Sequence, residues 1–384
     1  MPQALKRKRG GHTKGTVYPP EAAKLSPAWS VRPVLPNSIP PRNCTPGSFG
    51  LSRTGRLGHP GGVSDLREIT WSSSVTLTLT HDCPWRCRYC GFRTEREGLI
   101  REEQITAVLE AGRAQGAREA LLISGEHPGV LPHIRGELQE RGFADFADFA
   151  VYAARRALEA GLLPHGNYGA LSPGQLRRLR PWHASMGVML ENIADDPSVA
   201  PEKKAAGRLA TIEAAGRLRI PFTSGILIGL GEAVESRFAS LDALAALHLR
   251  YGHLQEILIQ NFVPNAGSDP RLAALPVPGV EDVRALAAHW RKRCPDVPVQ
   301  IPPNLNTAWP QLLDACSDLG GISTRRDEVN PARPWAPESA YREACAAAGR
   351  VLRERLAVYD RFITPEWIDP ALLPRVRAMR AGCG

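Results

Sequence analysis

No apolar run in the 384-residue sequence approaches the roughly 18 residues that a membrane-spanning helix needs. Residues 1–10 carry charge but no apolar segment follows them, so they do not read as a secretory signal. Eight cysteines in a chain of this length, without a signal, do not describe a disulfide scaffold. A cytoplasmic protein is expected, with no membrane partner. A basic excess is also missing from most of the chain. The net charge is +9, but residues 1–70 hold eleven basic and three acidic side chains, which leaves the remainder close to neutral. A nucleic-acid partner would call for a basic face on the folded body. None is expected.

The same 70 residues contain 10 of the 34 prolines and 9 of the 35 glycines, a composition that resists continuous secondary structure. Residues 1–70 therefore read as a disordered basic segment, in which Lys6-Arg7-Lys8-Arg9 is a solvated run, or else a dock for an anionic surface, with a boundary near Trp71. From residue 74 short β-type runs alternate with longer helical patterns. Residues 74–80 (SVTLTLT) alternate apolar and threonine positions with a period of two. Further strands are expected at 120–124, 163–167, 184–190, 222–228 and 256–262. Helices are expected near 102–115, 146–160, 203–218 and 233–251, with a capped helix opening at Ser172-Pro173-Gly174-Gln175 and ending at Pro181. This order implies parallel strands joined by crossover helices, an α/β fold best explained as a full or partial (β/α) barrel of six units. The core is placed at 71–300, and 301–384 is expected to be a C-terminal extension packing on it. Functional residues of such barrels gather at the C-terminal ends of the strands.

Cys44, Cys294, Cys316, Cys345 and Cys383 are scattered and read as packing or surface residues. Cys83, Cys87 and Cys90 stand together after the first strand, in His81-Asp82-Cys83-Pro84-Trp85-Arg86-Cys87-Arg88-Tyr89-Cys90. Three thiolates in this C-x3-C-x2-C spacing can hold three irons of a 4Fe–4S cluster and leave the fourth iron open. Zinc is the competing reading and wants a fourth ligand. No C-x2-C or H-x3-H partner lies nearby, and His81, two residues before Cys83, would form a strained chelate.

With Tyr89 directly before the last cysteine, this loop resembles that of the radical S-adenosylmethionine superfamily. The resemblance implies one 4Fe–4S cluster on Cys83, Cys87 and Cys90, with S-adenosylmethionine chelated at the open iron. It also implies a low-potential electron donor and the formation of a 5′-deoxyadenosyl radical. Ser124-Gly125-Glu126 resembles the superfamily's Gly-Gly-Glu motif, which receives the methionyl amino group; a plain turn is the alternative for it. The segment from Gly225 through Gly229 to Glu232 is similar to the motif flanking the adenine, or else simply a buried strand and turn. Glu191, followed by Asn192, suits ribose hydroxyls, and an exposed turn is the bland reading. Tyr89 joins Gly125, Glu126, Glu191, Gly225 and Gly229 as a cofactor-binding candidate. Asn167, Gln260 and Asn261 are candidates to face substrate, set against satisfied structural amides. No residue is assigned a catalytic role.

A narrower resemblance covers residues 74–370. Leu163-Pro164-His165-Gly166-Asn167, Ser185-Met186-Gly187-Val188-Met189-Leu190-Glu191, Gln255-Glu256-Ile257-Leu258-Ile259-Gln260-Asn261-Phe262 and Gly320-Gly321-Ile322-Ser323 read like subunit 1 of the 7,8-didemethyl-8-hydroxy-5-deazariboflavin synthase family of coenzyme F-420 biosynthesis. That family implies a lyase. A second radical subunit joins tyrosine-derived carbon to 5-amino-6-(D-ribitylamino)uracil, and subunit 1 closes the ring with loss of ammonia. The chain departs from the family pattern at Pro84-Trp85 and at Ser317-Asp318-Leu319, which bears on the substrate. Two other readings compete: a radical enzyme on another substrate, such as a menaquinone-branch cyclase, and a zinc-stabilised binding protein without activity.

Overall fold

The computed structural model describes residues 68–323, 327 and 330–382. The expected basic segment at 1–70 lies almost wholly outside the described residues, as do Cys44 and Cys383. Among the described residues nine strands run in one parallel sheet: β1 (Glu68–Thr80), β2 (Glu119–Ser124), β3 (Leu163–Asn167), β4 (Ser185–Gly187), β5 (Phe222–Ile228), β6 (Leu254–Asn261), β7 (Val299–Gln300), β8 (Asp318–Ser323) and β9 (Val351–Glu354). Strands β1 to β8 follow one another in chain order, and β8 pairs with β1 to close an eight-stranded barrel. The ninth strand adds outside the ring, pairing Glu68–Trp71 of β1 with Val351–Glu354.

Ten α-helices accompany them among the described residues. They are α1 (Glu102–Ala114), α2 (Pro132–Glu140), α3 (Phe146–Glu159), α4 (Pro173–Leu179), α5 (Ala205–Arg217), α6 (Val234–Tyr251), α7 (Pro270–Ala273), α8 (Val280–Arg293), α9 (Glu338–Ala347) and α10 (Leu373–Ala381). Each parallel pair needs a crossover, and helices α1, α3, α4, α5, α6 and α8 lie on the connections, with one apolar face turned to the strands. The clearest case is α3, which buries Phe149, Ala150, Ala153, Ala154 and Ala157 along a single stripe. Close packing demands glycine in α1, where a Cβ at Gly112 would stand 2.5 Å from Val75 Cβ. No helix among the described residues is long and apolar enough to cross a membrane.

Two strands that the sequence pattern did not signal close the ring, and one of them, β8, lies beyond residue 300. It starts at Asp318, which is anchored at the N-terminal end of the barrel. There the Arg355 guanidinium contacts Asp318 Oδ2 at 2.6 Å and Glu256 Oε2 at 2.8 Å, and the Tyr359 hydroxyl reaches the same two carboxylates. Thr70 donates to Asp318 as well. The chain after β9 covers this end with Leu356, Val358, Phe362, Ile368 and Val376, packed with Leu158, Leu163 and Ala184.

Candidate active site

At the opposite end of the barrel the loop after β1 carries the three clustered cysteines. Cys83, Cys87 and Cys90 line one open cavity of ≈ 280 Å³ with Tyr89, Gly125, Glu126, Asn167, Glu191 and Gln260, so seven of the expected cofactor and cluster residues and two of the expected substrate residues meet at one place. The loop's course is set by Asp82, which is fully buried and accepts hydrogen bonds from the Glu97 and Gly98 amides and from His133. Its carboxyl is held below the usual range: burial pushes it up, and these hydrogen bonds outweigh the burial. The end of β2 then comes hard against the loop. A Cβ on Gly125 would lie 2.2 Å from the Asp82 carbonyl oxygen and 2.8 Å from Cys83 Cβ, so only glycine fits.

The other motif residues fall around the same cavity with one distinction. Glu191, at φ +67, turns the chain sharply after β4 and bridges to Ile226 of β5. A left-handed backbone at a residue with a side chain costs about 1–2 kcal/mol, and here it aims the carboxylate at the cavity. Gly225 and Gly229 do not line the cavity. Gly225 gives way to β6, since a Cβ there would stand 2.3 Å from the Leu258 carbonyl oxygen, and Gly229 takes φ +98 to turn the strand end. It is Leu227, between them, that faces the cavity. Asn261 is also absent from the lining. Its amide is spent on the Pro278 carbonyl and on Asn306, as the alternation along β6 requires when Gln260 points inward.

Two cations escaped the reading of the sequence. Lys203 Nζ lies 2.6 Å from both Glu191 Oε1 and the Tyr89 hydroxyl, and that hydroxyl donates to Glu191. Arg208 of α5 is 2.5 Å from Glu126 Oε2 and donates to the Met189 carbonyl. Two carboxylates are thus matched by two cations. Burial pushes Glu191 up, yet Lys203 and Arg208 beside it hold its carboxyl below the usual range. Lys203 gives a weak signal in sequence, but Arg208 sits four residues before the buried Ile212, on the inward stripe of its helix, which marks it as a buried cation.

The donor set fits a multi-iron cluster better than a single ion. Among the described residues no three His, Cys, Asp or Glu side chains close around one metal ion. Thiols that each bind a different corner of a cube need not converge. His81 pairs with Glu97 at 3.0 Å and takes no part, which removes the proposed fourth zinc ligand. Burial pushes the Cys87 thiol up to about 12, so iron must displace its proton on binding. Beside the thiols, the close-packed Gly125 and the ion-paired Glu126 and Glu191 give the cavity a polar wall.

Fold and site together define a radical S-adenosylmethionine enzyme. A family model described as the radical SAM superfamily matches residues 77–244. The chain belongs to the 7,8-didemethyl-8-hydroxy-5-deazariboflavin synthase family. A synthase of that name from Methanoculleus marisnigri is 43% identical over 319 residues, covering 82% of this chain and 95% of the relative. Another, from Archaeoglobus fulgidus, is 39% identical over 317 residues, covering 81% and 96%. Among solved structures, the FeFe-hydrogenase maturase HydG from Carboxydothermus hydrogenoformans superposes with a TM-score of 0.61 at 17% identity, over 81% of this chain and 77% of that one. Methylornithine synthase gives 0.57 at 15% identity, over 76% and 85%. These two likenesses concern the fold. The cofactors are one 4Fe–4S cluster and S-adenosylmethionine.

Proposed function

We infer that this chain closes the ring of the tyrosine-derived adduct of 5-amino-6-(D-ribitylamino)uracil, releasing ammonia and forming 7,8-didemethyl-8-hydroxy-5-deazariboflavin in coenzyme F-420 biosynthesis. Cys83, Cys87 and Cys90 would hold the cluster, which with S-adenosylmethionine supplies a 5′-deoxyadenosyl radical. Gly125 and Glu126 would stand on the methionyl side of the cofactor, and Tyr89, Glu191 and Leu227, which faces the cavity between Gly225 and Gly229, on the adenosine side. A second radical subunit would supply the adduct, and a low-potential protein the electron.

One observation carries this reading. The cofactor cavity does not end at the barrel mouth. It meets a second, deeper cavity, and Asn167 and Gln260 line both. A substrate in the deeper cavity would pass these two amides to reach the radical. The direct test mixes the anaerobically reduced protein with S-adenosylmethionine, the second subunit, tyrosine and ribitylaminouracil. The deazaflavin is expected by fluorescence and mass. Release of 5′-deoxyadenosine without deazaflavin under these conditions would reject the substrate.

A further inference from the structure

The deeper cavity, of ≈ 200 Å³, occupies the barrel interior below the cofactor pocket. Its wall holds polar groups that the protein leaves without partners. His165 of β3 is 7% exposed, and its Nδ1 lies 2.7 Å from Ser185 Oγ. Ser185 has one proton, which it donates to the Ala357 carbonyl at 2.6 Å. Its oxygen must therefore accept from Nδ1–H, and the chain of bonds leaves Nε2 with a lone pair. Burial, helped by the nearby Arg355, holds the imidazole down to about 3, so the ring stays neutral. Among the described residues Nε2 has no hydrogen-bond donor.

Gln300 of β7 is 8% exposed and lines the same cavity, and its amide makes no hydrogen bond among the described residues. Gly320 makes room for it, since a Cβ there would stand 2.0 Å from Gln300 Nε2. Glu119 receives Ser72 on Oε2 and leaves Oε1 toward Gly321; burial raises its carboxyl, which favours the neutral form. Asn304 Oδ1 is buried without a partner, and the half-buried amides of Asn167 and Gln260 stand at the mouth. His165 Nε2, the Gln300 amide and the mouth amides thus face the cavity with hydrogen-bonding capacity that a polar ligand could use. The charges on the wall have partners: Arg355 is paired with Asp318 and Glu256, and Asp327 accepts from Asn304 Nδ2 and the Asn330 amide.

We propose that the deep cavity is a neutral hydrogen-bonding subsite that takes the hydroxyl-bearing ribityl chain and the N–H edge of the pyrimidine, and that His165 Nε2 and the Gln300 amide are its specificity-determining contacts. This rests on the substrate reading above and deepens it. An acyclic polyol offers donors and acceptors at short intervals, which a wall of amides and one fixed acceptor matches. An aromatic or aliphatic group alone would leave the same wall unsatisfied.

The test is anaerobic titration of the cluster-loaded protein, with S-adenosylmethionine present, using two probes: 6-(D-ribitylamino)uracil and its counterpart with a methylamino group in place of the ribitylamino chain. The wild-type protein is expected to bind the first at least about tenfold more tightly, the loss of two or more neutral hydrogen bonds. His165→Leu and Gln300→Leu should each weaken the ribityl probe by about threefold to tenfold. His165→Gln, which keeps an acceptor near the Nε2 position, should recover most of it. Circular dichroism identifies any variant that does not fold, and the Gln300 variant carries the test if His165→Leu is one of these. Equal binding of the two probes by wild type, or wild-type binding by the folded leucine variants, overturns the subsite. If deazaflavin still forms in that case, the proposed reaction stands. If wild type binds neither probe and makes no deazaflavin, both fail together.

Discussion

Arg208 and Glu126 meet at 2.5 Å with both side chains only 6% exposed, tying the helix after β4 to the end of β2 across the cofactor cavity. Removing one partner strands the other as a buried charge, which costs about 3–5 kcal/mol, whereas replacing both by neutral groups costs less. Arg208→Ala is therefore expected to lose about that much stability in denaturant unfolding. Glu126→Gln combined with Arg208→Met should lose clearly less. Equal losses would mean that the pair is not coupled.

The three thiols of the loop are expected to act together. Alanine at Cys83, Cys87 or Cys90 should abolish cluster assembly, read as iron and sulfide content and the visible absorption of the reconstituted protein. Cys294, Cys316 and Cys345 are buried elsewhere in the core, and alanine there should leave the iron content at the wild-type level. Full iron in Cys87→Ala would remove the cluster from this loop.

Substrate and cofactor contacts should separate kinetically. Asn167→Ala or Gln260→Ala removes a neutral contact worth about 0.5–1.5 kcal/mol to the substrate. The expected result is more 5′-deoxyadenosine per deazaflavin formed. Glu191→Ala disturbs the ionic group with Lys203 and Tyr89 and should lower both products in step. Measuring the two products in the three variants decides the assignment, and matching losses in all three would take Asn167 and Gln260 out of the substrate shell.

Acid sensitivity should come from histidines. His165 and His253 are held down to about 3 and His183 to about 4, with burial the largest cause in each case. The unfolded chain takes up these protons near pH 6.5 and the folded one does not, so stability is complete above pH 6.5 and falls as the pH drops toward 4. Each group contributes a slope of about 1.4 kcal/mol per pH unit in that window. Unfolding free energies measured between pH 7 and 5 should show the fall, and His253→Leu should remove about one such slope. An unchanged pH dependence in that variant would show that His253 does not contribute.

Much of the barrel was legible because its strands obey a simple rule. Residues 163–167 and 222–228 are strands with the bounds the apolar pattern gives. The misses have physical causes. β1 begins at Glu68, well before the alternating run, because its first half is flanked by strands on both sides and buries Thr70, Ser72 and Ser73 as well as Ile69 and Trp71. β7 is two residues long, and β8 reads DLGGIS, in which a glycine pair suggests a turn. The three-cysteine loop and the Gly125-Glu126 turn, which meet at one cavity, were visible as motifs. Lys203, Arg208, His165 and Gln300 were not, since a basic residue on a helix and a polar residue in a strand gain meaning only from what faces them.

The closing strand also dictates an order of events during synthesis. Thr70 and its partner Asp318 are separated by 248 positions along the chain. Until that last stave emerges from the ribosome, β1 has an unpaired edge, a template for wrong pairings. Nascent chains are expected to wait in an open, curled sheet, with the three-cysteine loop already made but its barrel unsealed. Contacts of such long range are slow to form. A segment that contributes none of the three clustered thiols thus sets when the protein becomes a closed vessel.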